Sequence, residues 1–164
     1  MSKPELSRIM RLDRIGPNET PHEVVASAAE CASLARRFGI PGIVSLTCRF
    51  VLRRLPGSVV SAEGLLEARV TRICVATLEA FDAPVRESFR FRFVPEDMLS
   101  DSIDPDADDE IPYQHDTIDL GEAAAQQLAL ALDPYPRKPG ARMADVAADP
   151  AERRLGNVVN FRRQ

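Results

Sequence analysis

The sequence predicts an α+β fold, an antiparallel meander of long strands, open or curled, packed by two helices. Three observations carry this. Over residues 43–94 the hydrophobic period is two, which is the period of a strand with one buried face. Residues 27–39 and 118–133 instead repeat every three to four residues, and each opens on a capping signal and closes on a breaker. Short turn sequences join the alternating runs, as a meander requires and parallel crossovers do not.

In chain order, Leu6, Arg8 and Met10 alternate with Ser7, Ile9 and Arg11 as a weak strand, and Gly16-Pro17-Asn18 turns the chain. Residues 23–26 form a short strand. Ser27 and Glu30 make a capping box for a helix through Cys31, Leu34, Ala35 and Phe38, with Arg36 and Arg37 in its last turn and Gly39 as its stop. The first long strand sets Val44, Leu46, Cys48, Phe50 and Leu52 on one face. Pro56-Gly57-Ser58 turns into a second strand with Val60, Ala62, Gly64, Leu66, Ala68 and Val70, running to about Cys74. A third alternates Val85, Phe89, Phe91 and Phe93 with Arg86, Ser88, Arg90 and Arg92. Residues 118–140, IDLGEAAAQQLALALDPYPRKPG, hold the second helix. Asp119 caps it with Glu122 placed to reach back, Leu120, Ala124, Leu128 and Ala131 share a face, and Asp133-Pro134 ends it. Pro134, Pro136 and Pro139 then hold Tyr135, Arg137 and Lys138 extended, which presents them at little ordering cost.

The 164 residues suit one domain, expected over 1–143, with a mobile acidic loop at 95–117 and a flexible, basic-ended tail at 144–164. MSKPELSRIMRLDRI lacks the apolar core of a signal peptide, no run is long enough for a membrane span, and three scattered cysteines argue against a disulfide framework. A cytoplasmic location is therefore expected. The net charge of −4 conceals a partition. Residues 94–136 hold twelve acidic side chains and no Lys or Arg, which leaves 21 basic against 13 acidic elsewhere. A local basic face can bind a polyanion while the whole chain stays acidic, although an acidic segment that merely solubilises a basic sheet gives the same totals.

Catalytic chemistry is not expected. His22 and His115 have no Ser or Cys at a motif spacing, and the eight glycines form no phosphate loop. Asp106, Asp108, Asp109 and Glu110 lack the glycine and closing glutamate of a calcium loop, so they read as solvated charge. No cofactor, metal or small-molecule substrate is indicated. The candidate binding residues are Arg49, Arg53, Arg86, Arg90 and Arg92 on the polar strand face, together with Tyr135, Arg137 and Lys138. Alternate strand positions lie about 6 to 7 Å apart, a spacing that suits guanidinium contacts with successive phosphates. The competing reading pairs those arginines with Glu63, Glu67 and Glu87.

Three segments resemble one family: SLARRFGI at residues 33–40, Cys74-Val-Ala-Thr-Leu78, and the long helix with its proline segment. Over about residues 6–142 the chain is similar to the YceD family, named as large ribosomal RNA subunit accumulation proteins. The resemblance implies a factor needed for normal 23S ribosomal RNA levels, acting in large-subunit assembly or precursor processing, with ribosomal RNA or a large-subunit ribosomal protein as partner. A metal-dependent RNA-processing enzyme and a protein adaptor are the alternatives. Many members of the family carry Cys-x-x-Cys-Leu at the strand end and another cysteine after the proline segment. Here Thr77 replaces the second cysteine and Lys138-Pro139 offers no thiol. One thiolate cannot build a structural zinc site, which needs about four ligands, so Cys74 is expected to be a small buried hydrophobe.

Overall fold

A computed structural model describes residues 4–99 and 107–140 of the chain. The expected tail at 144–164, and residues 100–106 of the expected loop, lie outside these. The fold is α+β. Strand β1 (Ile9–Arg11) leads through a 3₁₀ turn to β2 (Thr20–Val25) and helix α1 (Ala28–Phe38). Three long strands follow, β3 (Gly42–Leu55), β4 (Val59–Ile73) and β5 (Ala80–Pro95), then β6 (Asp109–Tyr113), β7 (Thr117–Asp119) and helix α2 (Leu120–Ala131). The main sheet has the order β2-β3-β4-β5-β6, and β1 pairs with β7 in a small sheet of their own.

The meander β3-β4-β5 is antiparallel throughout. Its inner face buries Leu46, Cys48, Phe50, Leu52, Val60, Ala62, Leu66, Val70, Phe91 and Phe93. Across β3, β4 and β5 the register aligns Phe50, Gly64 and Phe89, and the two rings meet over the glycine with centroids 5.3 Å apart. Phe89 keeps partial exposure.

Both helices lie against this inner face. In α1 the capping box forms as the sequence predicts. The Ser27 hydroxyl accepts from the Glu30 N–H, the Glu30 carboxylate accepts from the Ser27 N–H, and Gly39 closes the helix at φ 68°. Glu30 also takes a bidentate pair from Arg8 at 2.7 and 2.8 Å, which ties the N-terminal strand to the helix. In α2 the small residues Gly121, Ala123, Ala124 and Ala125 allow close approach to the sheet and to the chain at Ser7-Arg8.

The Arg8 pair has a pH signature. Its hydrogen bonds hold the Glu30 carboxyl at about 2, below its ordinary 4.5, against the opposing effect of burial. A depressed carboxylate stabilises the fold above its unfolded pKa and loses that contribution as pH falls through the folded one. Stability should therefore decline as pH drops from about 4.5 toward 2, and Glu30→Gln should flatten that limb in urea titrations.

Three expectations change. Val44 is 58% exposed while Ile43 is buried. The ladder steps from Ile43↔Val70 to Ser45↔Arg69, so Val44 is the extra residue of a bulge and turns outward. Glu122 does not reach back to complete a box at α2. The Asp119 carboxylate caps Gly121 and Glu122 and also accepts from Ser7 and the Arg8 N–H, while Glu122 pairs with Arg37 of α1 at 2.8 Å. Finally, residues 95–117 are not loop throughout. Asp109–Tyr113 is a strand parallel to β5, and Tyr113 is buried with its hydroxyl donating to the Ser58 carbonyl. The acidic flanks of this strand mask its few apolar positions, and parallel pairing leaves no signal in the local sequence.

Candidate functional site

The outer face of the main sheet carries Arg49 and Arg53 on β3, Arg69 on β4, and Arg86, Arg90 and Arg92 on β5. Register brings them into a lattice with Glu23, Glu63, Glu67, Asp82 and Glu110. Arg49 meets Glu23 at 3.2 Å and Glu67 at 3.7 Å, Arg69 meets Asp82 at 4.0 Å, Arg90 meets Glu63 at 3.5 Å, and Arg92 meets Glu110 at 3.6 Å. Glu63 and Glu67 thus pair as the competing reading expects. Glu87 does not, because odd positions of β5 face the other way with Val85 and Phe89. Sequence reasoning missed Glu23, Asp82 and Glu110 as partners, since each comes from a strand or strand end whose register is set at long range.

These pairs are weak. Both side chains of the Arg90–Glu63 pair are more than half exposed, and exposed pairs contribute about 0–1 kcal/mol each. Among the described residues Arg53 and Arg86 have no ion pair or hydrogen bond. Arg92 differs. Its side chain is only 34% exposed, and its Nε is enclosed without a partner.

The second group follows the C-terminal end of α2. Tyr135 is 71% exposed, and its N–H donates to the Asp133 carboxylate. The proline segment docks on the β4–β5 connection: the Val75 N–H donates to the Pro136 carbonyl at 3.0 Å, and the Lys138 ammonium meets Glu79 at 3.1 Å. Cys74 joins the two. Its sulfur accepts from the N–H groups of Thr77 at 3.4 Å and Lys138 at 3.3 Å. The thiol is buried as expected, yet it is a polar anchor as well as an apolar filler. Burial opposes its ionisation, but the Thr77 hydroxyl and the N–H groups of Lys138, Thr77 and Ala76 outweigh that and bring it down to about 7. Leu78, in the same connection, is 77% exposed in a left-handed conformation at φ 62°. The structure thus separates the eight predicted residues into an arginine lattice and a proline-held corner.

Among the described residues no three His, Cys, Asp or Glu side chains are placed to hold a metal ion, and no helix is long and apolar enough to cross a membrane. An open mixed sheet, helices on one face and guanidinium groups on the other, defines an α+β scaffold that presents surfaces. The family model of the large ribosomal RNA subunit accumulation protein YceD matches residues 62–157, and the chain belongs to that family. The matched segment takes in most of β4, all of β5 to α2, and the proline corner, and leaves β1 to β3 and α1 outside it. No curated protein and no solved structure matches the chain.

Proposed function

We propose that this protein supports accumulation of large-subunit ribosomal RNA as a non-catalytic, cytoplasmic binding factor that contacts structured ribosomal RNA through the arginine lattice. Family membership supports the ribosomal role. The observation that carries the RNA contact is the set of guanidinium groups at strand spacing on one sheet face, of which Arg49 and Arg90 are engaged only by exposed carboxylates. A phosphate can replace such a carboxylate at small cost, because the pair it displaces contributes little. Phe50, Phe91 and Phe93 lie on the buried face, so the lattice suits backbone contacts with folded RNA and not base stacking. A ribosomal protein as the partner is favoured instead by the exposed Leu78 and Tyr135 at the proline corner.

The test is the salt dependence of binding to a large-subunit ribosomal RNA fragment. Replacing Arg53, Arg86 and Arg90 by glutamine should weaken binding and reduce the salt slope by about one unit per lost phosphate contact. Arg92 is left in place because its half-buried side chain also packs. Replacing Tyr135 and Leu78 by alanine should leave the slope unchanged. Absence of RNA binding at low salt by the native chain would discard the RNA contact and leave a ribosomal protein as the partner.

A further inference from the structure

Among the described residues a long stretch of sheet edge has no partner. β6 takes the outer edge of β5 only between Phe91 and Pro95, while β5 begins at Ala80. Among the described residues no strand pairs on that side between Ala80 and Arg90. Unpaired N–H and C=O groups along an edge are a template for an added strand. Pro84 sets the phase of this template. A proline cannot donate to a ladder, so its nitrogen lies on the open side, and with it lie the backbone groups of Arg86, Ser88 and Arg90.

Side chains along the same stretch select what can pair there. Arg86 has no ion pair or hydrogen bond among the described residues, and Arg90 has only its long, exposed contact with Glu63. On the reverse side Val85 and Phe89 are half-buried, and a cleft of about 290 Å³ runs past Phe81, Val85 and Leu132, lined also by Arg72 and Arg137. Cations therefore flank one side of the edge, and on the other Val85 and Phe89 stand on either side of the exposed Glu87, which shares the cleft with Arg72 and Arg137.

We propose that the open edge of β5 receives an extended segment of a partner protein as an added strand, one that alternates carboxylate with apolar side chains. Its carboxylates fall opposite Arg86 and Arg90, and its apolar groups cover Val85 and Phe89. A second copy of this chain fits less well: self-pairing centred on Arg86, Glu87 or Ser88 sets like charges opposite one another, and self-pairing centred on Val85 sets Arg86 opposite Pro84, which has no N–H to return. The site shares Arg86 and Arg90 with the proposed RNA contact and differs from it in the backbone ladder, which pairs with a peptide and not with a phosphate chain.

The experiment uses the full chain, an end-capped heptapeptide of alternating valine and glutamate, and a valine–lysine heptapeptide as its charge-reversed control. Amide hydrogen exchange reads the site residue by residue. The glutamate peptide should slow exchange at Ser88 and Arg90 by about tenfold or more, and the lysine peptide should not. Ser88→Pro removes an outward donor without touching the β4 ladder, and should abolish the protection. Arg86→Glu with Arg90→Glu should invert the peptide preference, which keeps the test decisive should the proline variant fail to fold. Equal protection by both peptides, or by neither, overturns the proposal. So does protection of these amides by single-stranded RNA, or protection that rises with protein concentration alone, which would identify RNA or a second copy as the occupant.

Discussion

Phe91→Ala should destabilise the protein by about 3–5 kcal/mol, the cost of deleting a buried aromatic ring that its surroundings cannot replace. Phe91 is 1% exposed and stands in the middle of an aromatic row, 5.5 Å from Phe89, 6.5 Å from Phe50 and 5.1 Å from Phe93 between ring centroids. Its neighbour across the ladder is Ala62, which is too small to fill the space. The flanking strands are hydrogen-bonded on both sides at this point and cannot close on the cavity. Urea unfolding with an unchanged m-value measures the effect. A loss below about 1 kcal/mol would mean that the ring does not belong to the core.

Gly64→Ala attacks the same layer from the opposite direction, by overfilling it. A Cβ on Gly64 would lie 2.0 Å from the Arg49 carbonyl oxygen and 2.7 Å from the Phe89 ring. The ring can move. The carbonyl belongs to the backbone of β3, so the added methyl must push two long strands apart. The expected loss is about 3 kcal/mol or more, at the upper end for overpacking. Because the backbone is the main obstacle, the loss should persist when Phe89 is also reduced to leucine. A double-mutant cycle measures this, and full rescue by the smaller side chain would place the clash at the ring alone.

These two residues show how differently a core can be read. Phe91 is legible from alternation alone, since it falls in phase with Phe89 and Phe93. In the sequence Gly64 is one position of an alternating apolar face. Only the pairing of three strands shows that it sits between Phe50 and Phe89, where the missing side chain lets the rings meet. The same contrast runs through the candidate site. The outward phase of Arg86, Arg90 and Arg92 follows from the period of two, but their partners do not. Glu110 reaches Arg92 from a parallel strand, and Asp82 reaches Arg69 across the β4–β5 ladder.

The sequence by itself determined the features whose cause lies within a few residues: the long alternating strands, the Ser27–Glu30 box, the stop at Gly39, the Asp119 cap and the proline-held corner. Each has a cause legible in the local sequence: a two-residue period, a cap or stop within one turn of helix, or prolines that fix the backbone. Tertiary structure alone decided the rest. The bulge that turns Val44 outward depends on the register of β3 against β4. The placement of β6 depends on a parallel pairing with β5, and the open edge below it on where that pairing stops. Cys74 receives an N–H from Lys138 only because the proline segment folds back onto the β4–β5 connection. In each case the deciding contact joins residues far apart in the chain. Whether such a contact forms depends on which arrangement pairs the most backbone and buries the most apolar surface at once, a property of the whole fold and of no single segment.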